Sequence, residues 1–373
     1  MRALVTDAHY HNALAAVRSL GRSGVSVVCA SHSRQAQSYY SRYCESRLIL
    51  PGLRDRESWA NTLRTEMSKA DIDILLPIGY DSTVLASRYL KSHVSDVKIP
   101  VADWARMEIA SDKTKTMKHA DSLGILTPTT YGSIDEVDKF PIVAKGRIGS
   151  GRVWYVNSPE DLPAMDPDEL ILQEYIPGDS YGYFGLFNRG DPRAEFMHKR
   201  LRSYPITGGA SSCAIGVRDD ELRDIGELLL STLNWHGVAM AEFKKDRRDG
   251  RYRLIEMNPK FWGSLDLAIS SGVDFPYLAA KMAYDGDIPC VSSYKVGVRF
   301  RWIFPYEILY LMAKPRFIGQ FLLEFTQRDT SSNLDFDDPI PNFIQMIQTP
   351  FSIAGQMRKG SIVHPHGTPR GVT

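Results

Sequence analysis

Short apolar runs alternate with amphipathic stretches over the first part of the chain. Three apolar runs are typical of buried strands: residues 3–5, 25–29 and 74–76. The segment 12–20 has helical periodicity and stops at Gly21. Apolar strands that alternate with helices predict a parallel sheet with helices on both faces. A dinucleotide site is not expected here, because the segment TDAHYHN after the first strand carries no glycine.

The loops at the carboxyl ends of these strands are candidate substrate loops. Ligands of open α/β sheets bind beyond these ends, which here are residues 6–12 and 79–81. A solvated loop is the alternative for each of the side chains that they offer: His9, His11, Asn12, Tyr80 and Asp81.

The middle of the chain has a different pattern, in which strands dominate and glycines mark turns. Ser111 is predicted to cap the N-terminus of a helix, and Gly124 is predicted to end it. Strands are predicted at residues 140–145, 153–156, 170–175, 183–187, 194–201 and 297–303, and the last of these returns to the sheet. Helices are predicted at residues 219–233 and 274–284.

A hairpin near residue 250 carries the most informative chemistry. The Asp249-Gly250 step predicts a turn between the strand-like runs VAMAEF and YRLIEMN, which sets Glu242 opposite Glu256. Asn258 shares the face of Glu256, because strand side chains repeat every second residue. Two carboxylates and an amide oxygen are donors that Mg²⁺ prefers. A slip of one residue would turn Glu242 to the other face, so solvated acids on a surface hairpin are the alternative.

Two segments upstream have the chemistry that a phosphate-bearing ligand needs. Lys145 ends a strand and is followed by a glycine-rich loop that includes Gly149, Ser150 and Gly151, where backbone N–H groups can approach phosphate oxygens. A second strand ends in Gln173, Glu174, Tyr175 and Ile176, with Asp179 just beyond. The backbone of this strand end can hydrogen-bond the edge of a nucleotide base, and the Asp179 carboxylate can accept hydrogen bonds from ribose hydroxyls. A plain turn is the alternative for both segments.

Several lysine and arginine side chains also lie at positions where they could bind an anion. Lys113 lies in the first turn of its helix, which is unfavourable unless it meets an anion. Lys199, Arg200 and Arg202 precede a Gly208-Gly209 loop and fit a clamp for a phosphate or an anionic substrate, although a charge run is usually a solvated strand face. Lys260 lies two residues after Asn258 and can reach the same phosphates.

Bulk composition narrows the classes of partner. The 373 residues suffice for two or three domains, and the net charge of +1 gives no sign of a nucleic-acid partner. The four cysteines form no zinc spacing, which favours reduced thiols in a cytoplasmic protein. No signal peptide or transmembrane segment is expected. The apolar segment 302–325 is broken by prolines and charges and is typical of core or docking helices, with peripheral membrane contact left open.

The ordered set of motifs resembles the ATP-grasp family, in particular its carboxylate–amine ligases and carbamoyl-phosphate-synthetase-like members. The resemblance runs from Asp112 to about Gly272 and rests on these motifs: Asp112-Lys113, Pro141-x-x-x-Lys145 with Gly149-x-Gly151, Gln173-Glu174-Tyr175-Ile176-x-Gly178, Glu242-Phe243 and Glu256-x-Asn258-Pro259. The segment before about residue 102 resembles the pre-ATP-grasp domain. The implied fold class is α/β (α+β), with a Rossmann-like parallel sheet followed by a two-subdomain ATP-grasp fold with antiparallel sheets.

The resemblance also implies domain limits. We expect a pre-ATP-grasp domain at residues 1–108 and an ATP-grasp domain at 109–290, with a lid at about 125–175. A C-terminal extension would follow at 291–373 and end in a mobile tail.

The resemblance further implies roles for the site residues. Lys113 and Lys145 would hold the phosphates of ATP, Glu174 and Ile176 would line the adenine hinge, and Asp179 would take the ribose. Glu242, Glu256 and Asn258 would bind one or two Mg²⁺ ions, with Mn²⁺ as a substitute. Lys260, Lys199 and Arg202 are the expected catalytic cations. Lys260 stands where family members commonly carry arginine, and lysine lacks the bidentate fork of that residue.

The function that this resemblance implies is ATP-dependent ligation of a small-molecule carboxylate to an amine through an acyl phosphate. Two alternatives remain: a carboxylating enzyme that activates bicarbonate, and a nucleotide-binding module without turnover. A homodimer and the role of the residues after Tyr306 are left open.

Overall fold

The computed structural model describes residues 1–149, 153–358 and 368–370. The helices are α1 His11–Arg22, α2 Arg56–Lys69, α3 Tyr80–Leu85, α4 Trp104–Ser111, α5 Lys113–Ser122, α6 Asp220–Thr232, α7 Leu265–Ser270, α8 Phe275–Asp285, α9 Ile308–Ala313, α10 Ile318–Leu323 and α11 Ile340–Arg358. The strands are β1 Arg2–Val5, β2 Ser26–Ser31, β3 Cys44–Ile49, β4 Ile74–Leu76, β5 Thr130–Tyr131, β6 Ile142–Gly146, β7 Val153–Val156, β8 Leu170–Glu174, β9 Gly178–Asn188, β10 Asp191–Tyr204, β11 Ala210–Val217, β12 Gly237–Asp246, β13 Tyr252–Asn258, β14 Arg299–Arg301 and β15 Thr330–Ser332.

The first sheet is parallel, as its apolar strands predict. Its order is β3-β2-β1-β4, and every pairing in it is parallel. Leu4 of β1 packs in a core cluster with Leu63 of α2, whereas Val5 packs on the other face in a cluster with Val17 of α1. Helices therefore cover both faces, which confirms the prediction.

The loops that follow β1 and β4 are neighbours, because these two strands pair side by side. Asp7 joins them: its carboxylate accepts hydrogen bonds from the Gly79 N–H at 2.8 Å and the Ser82 hydroxyl at 2.5 Å. This buried carboxylate fixes the start of α3 beside the loop before α1.

Two further sheets carry the rest of the fold. The four-stranded sheet has the order β5-β8-β6-β7 with antiparallel pairing. The seven-stranded sheet has the order β13-β12-β9-β10-β11-β14-β15, and β14 returns to it beside β11 as predicted. All its pairings are antiparallel except that of β14 with β15. The mixed architecture confirms the predicted fold class.

One predicted helix start is corrected by the structure. Asp112, rather than Ser111, caps α5, because its carboxylate accepts a hydrogen bond from the Thr114 N–H at 2.9 Å. Ser111 is instead the last residue of α4. Gly124 has a φ of +72° and follows the end of α5 as predicted.

The last described helix, α11, buries several polar side chains and exposes several apolar ones. Asn342 and Gln345 are buried, whereas Phe343 and Phe351 are 56% and 75% exposed. The amide of Asn342 accepts a hydrogen bond from Arg18 of α1 at 2.7 Å. Polar contacts therefore fasten this helix to the N-terminal part of the chain.

Some sequence predictions remain predictions. The domain limits at 1–108, 109–290 and 291–373 are among them, and the predicted mobile tail falls largely outside the described residues. Among the residues that the structure describes, no helix is both long and apolar enough to cross a membrane.

Candidate active site

A cavity of about 780 Å³ lies where the three sheets meet. The loops of the first sheet contribute Tyr10, His11, Asn12, Tyr80 and Asp81 to its wall. The four-stranded sheet contributes Lys145, Gln173 and Glu174, followed by Tyr175 and Ile176, and the seven-stranded sheet contributes His198, Arg200, Glu242, Glu256 and Asn258. Four of the five predicted substrate-loop side chains therefore reach the cavity, and His9 is not among its lining residues.

The predicted carboxylate pair lies on the floor of this cavity. Glu242 of β12 pairs directly with Glu256 of β13, and Met240 pairs with Asn258. A one-residue bulge follows between Glu242 and Phe243, on the side of the turn. The hairpin therefore keeps all three predicted metal ligands on the cavity face.

Cations surround Glu256. The Lys113 ammonium lies 3.8 Å from the Glu256 carboxylate and donates to the Gly149 carbonyl at 2.6 Å. Asn258 donates its amide N–H to the same carboxylate at 2.8 Å. Burial raises the pKa of Glu256, but Lys113 and Lys145 outweigh it and hold this pKa below its usual value. Glu256 is therefore held as an anion in the wall of the cavity.

Lys145 of β6 reaches the same place from the four-stranded sheet. Its ammonium donates to the Ile255 carbonyl at 2.9 Å. Burial lowers the pKa of Lys145 to about 8, against the attraction of Glu256. A buried ammonium with a lowered pKa gains from an incoming anion, as a phosphate site needs.

Arg200, rather than Arg202, is the arginine of β10 that faces the carboxylates. Gly182 of β9 pairs with both His198 and Glu242, which sets one row of side chains across the sheet. Arg200, two residues beyond His198, meets the Glu242 carboxylate at 3.2 Å. A bulge between Arg200 and Arg202 then breaks the alternation.

Arg202 is consequently not brought to the cavity as predicted. Its guanidinium contacts the carboxylates of Glu307 and Glu324 at 2.5 and 2.6 Å. Arg301 contacts the same two carboxylates at 2.6 and 3.3 Å. Glu307, Glu324 and Cys213 have ligand atoms within 4.8 Å of one another, the one metal-like grouping of His, Cys, Asp and Glu among the described residues. The arginines neutralise it, so we interpret it as an ion-pair cluster that holds the segment after Tyr306 on the sheet.

Lys199 and Asp179 are paired with each other. Their ammonium and carboxylate lie 2.6 Å apart, and neither residue is among those that line the cavity. The predicted roles of Lys199 in catalysis and of Asp179 at a ribose find no support in this arrangement, since each charge already has a partner.

The hinge lies along one wall of the cavity. Gln173, Glu174, Tyr175 and Ile176 all line it. The buried Oε1 of Gln173 has no hydrogen-bond partner among the described residues, which leaves an acceptor for a ligand. Gly149 has a φ of +80°, where glycine is favoured. Ser150 and Gly151, which were also predicted to bind nucleotide, lie outside the described residues.

Lys260 lies in the cavity as predicted, and burial lowers its pKa, against the attraction of Glu256. The sequence did not single out His198, Tyr155 or Tyr306, which also line the cavity. Strand alternation with Arg200 was the available signal for His198. Burial, with help from Arg200, lowers the pKa of His198 to about 3, so this imidazole is neutral.

Residues 166–304 match the model of a family described as ATP-grasp in the biosynthetic pathway with Ter operon. The chain is 23% identical over 165 residues to a D-alanine–D-alanine ligase of Fusobacterium nucleatum, a match that covers 40% of this chain and 56% of that protein. It is 26% identical over 195 residues to a 5-formaminoimidazole-4-carboxamide-1-(beta)-D-ribofuranosyl 5′-monophosphate synthetase of Ignicoccus hospitalis, which covers 48% of this chain and 53% of that one. The chain thus spans about half the length of these two relatives.

A solved structure shares the fold over more of the chain. The L-amino acid ligase of Bacillus licheniformis superimposes with a TM-score of 0.61 at 17% identity, over 76% of this chain and 74% of the other. At this identity the likeness shows the fold alone. The family match over residues 166–304 and the shared fold make this chain similar to ATP-grasp proteins.

Proposed function

We propose that this protein is an ATP-dependent, ADP-forming ligase that joins a carboxylate to an amine. The observation that carries the proposal is the direct pairing of Glu242 with Glu256 in a cavity that Lys145 and Arg200 also line, with the Lys113 ammonium 3.8 Å from Glu256. Cations that converge on a carboxylate pair suit a metal–triphosphate ligand, because the metal occupies the carboxylates and the phosphates occupy the cations.

The donor set fits Mg²⁺. Two carboxylates lie in register, and the amide nitrogen of Asn258 faces Glu256, which leaves the amide oxygen as a further donor. Magnesium bound there would neutralise charge on the phosphates of ATP. The hinge at Gln173 to Ile176 is the proposed place for the base. The Gln173 oxygen, which has no partner in the described part of the chain, can accept a hydrogen bond there.

The proposed reaction has two steps. First, a carboxylate oxygen of the substrate bonds to the γ-phosphorus, and the bond from that phosphorus to its bridging oxygen breaks to release ADP. Lys260 and Arg200, which both line the cavity, would stabilise the transferring group. Second, the amine nitrogen attacks the acyl carbon, the carbon–oxygen bond to phosphate breaks, and the nitrogen loses a proton to solvent.

The relatives support this reaction class by name. One is a D-alanine–D-alanine ligase, and the fold is shared with an L-amino acid ligase.

Hydroxylamine provides a test of this reaction, because it captures acyl phosphates without a specific amine. The full chain would be incubated with ATP, Mg²⁺, hydroxylamine and a panel of carboxylic acids, while ADP and hydroxamate are measured. We expect equal amounts of both products with at least one acid, and none when EDTA replaces Mg²⁺. ADP release that needs bicarbonate and gives no hydroxamate would instead establish the carboxylating alternative. Nucleotide binding without ADP release across the panel would indicate a binding module.

A further inference from the structure

A second cavity of about 720 Å³ lies beside the first. Tyr80 and Asp81 line both cavities, so the start of α3 forms a wall that the two share. The Tyr80 hydroxyl donates to the Ser111 carbonyl at 3.2 Å, and its ring lies 3.6 Å from where a Cβ on Gly149 would be. The shared wall is therefore fastened to the end of α4 and lies beside Gly149, whose carbonyl Lys113 contacts.

The second cavity is rich in guanidinium groups without acidic partners. Arg54, Arg56 and Arg88 line it, and across residues 1–149, 153–358 and 368–370 none of them makes an ion pair within 4.0 Å. Arg88 lies over the ring of Trp104, 4.8 Å from its centroid. By contrast, the other cations of this cavity are paired: Lys115 with Glu108 and Arg147 with Asp112.

The arrangement of charges around the shared wall is asymmetric. Asp81 is the acid of this wall, and Arg56 lies close enough to oppose the rise in the Asp81 pKa that burial causes. A ligand with an ammonium group beside Asp81 and an anionic group beside Arg56 and Arg88 would pair with the charges at both places. In the proposed reaction the carboxylate would lie in the first cavity, which Lys260 lines, so we assign the second cavity to the other substrate.

We propose that the second cavity binds the anionic end of the amine substrate through Arg54, Arg56 and Arg88, while its amino group lies at Asp81 and faces the first cavity. This inference rests on the proposed function. The anion is a carboxylate or a phosphate, since guanidinium groups bind both with paired hydrogen bonds.

Matched amines test this site. With an acid that gives hydroxamate, kcat/KM would be measured for the common amino acids against their C-terminal amides, and for phosphoethanolamine against ethanolamine. We expect at least one anionic amine to exceed its neutral partner by about tenfold or more, the effect of one good charge-assisted contact. A preference among amino acids identifies a carboxylate, and a preference for phosphoethanolamine identifies a phosphate.

The double variant Arg56→Ala/Arg88→Ala should lower that ratio of anionic to neutral amine to near one, and Arg316→Ala, an exposed arginine elsewhere on the surface, should leave it unchanged. The ratio is taken within each variant, so a general loss of activity does not imitate the effect. Equal use of anionic and neutral amines, or a preference that survives in the double variant, would overturn the inference. Failure of hydroxylamine to give hydroxamate would instead reject the proposed function itself.

Discussion

Two pairs of glutamates in this chain meet cations, and they differ in how fully their charges are compensated. Glu307 and Glu324 are 0% and 1% exposed, and Arg202 and Arg301 both contact the two of them. Glu242 and Glu256 are 18% and 24% exposed, and their ion pairs, with Arg200 and Lys113, are longer at 3.2 and 3.8 Å.

The difference separates a structural cluster from a binding site. A buried carboxylate that is fully paired leaves no atom for a ligand, and removal of one partner exposes the other to a large desolvation cost. A carboxylate beside a cavity with longer contacts keeps lone pairs for a metal. The number of charged groups is similar in both places, but their geometry and access differ.

The largest expected effect is on turnover. Glu256→Ala should lower Mg²⁺-dependent ADP release by about a hundredfold or more, because a ligand of the metal is lost from a preorganised site. The fold should remain, as measured by circular dichroism and thermal melting. Glu66→Ala, which removes an exposed acid paired with Lys69, is the matched control. Ordinary turnover in Glu256→Ala would remove this residue from the metal site.

The ion-pair cluster should show the opposite behaviour. Glu307→Gln should lower the free energy of unfolding by about 3–5 kcal/mol, the usual cost when one partner of a buried pair is removed. Urea denaturation followed by fluorescence measures this. If the variant were as stable as the wild type, the cluster would not be the structural element that its burial indicates.

The pH dependence of nucleotide binding tests Lys145. Burial lowers the pKa of Lys145 to about 8. The side chain is therefore a charged ammonium below that pH and a neutral amine above it. If ATP binds only the charged form, affinity should fall by up to about tenfold from pH 7 to pH 9. Calorimetric titration of the wild type with ATP at several pH values measures this change in affinity. Lys145→Ala should bind ATP more weakly at pH 7 and lose most of this dependence, and an unchanged affinity would contradict the role.

The smallest effect is expected at the exposed pair. Lys199→Ala should change ATP affinity less than about threefold, because exposed ion pairs contribute only about 0–1 kcal/mol. Asp179→Ala should behave alike, and the same titration measures both. A loss of tenfold or more in Asp179→Ala would restore the role at the ribose that the family resemblance implied.

The hairpin shows how much of the site could be predicted from sequence. The Asp249-Gly250 turn predicted the hairpin and brought Glu242 close to Glu256, and the pairing of these two residues is observed. The pairs nearer the turn, which end at Phe243 with Leu254, would continue to Glu242 opposite Ile255. The bulge between Glu242 and Phe243 shifts the register by one residue and brings Glu242 opposite Glu256, a shift that the sequence alone did not predict.

Strand alternation failed on β10 for a physical reason. The bulge after Arg200 adds a residue to β10, and no residue in the segment HKRLRSYP predicts a bulge there. The sequence therefore gave the catalytic role to Arg202 and not to Arg200, although both belong to the predicted clamp. The partners of Arg202 lie more than 100 residues away at Glu307 and Glu324, so only the tertiary fold could reveal them.

Lys113 has one more consequence for the chemistry of the cleft. A lysine ammonium carries three N–H donors in a tetrahedral arrangement. Here one N–H is held by the Gly149 carbonyl and another is directed toward Glu256, so, within the described part of the chain, the third N–H stays available to an incoming oxygen. The glycine-rich loop, the carboxylate hairpin and a bound phosphate would then share a single nitrogen. A planar guanidinium could not span these three directions, and so arginine would be a poor replacement at this position.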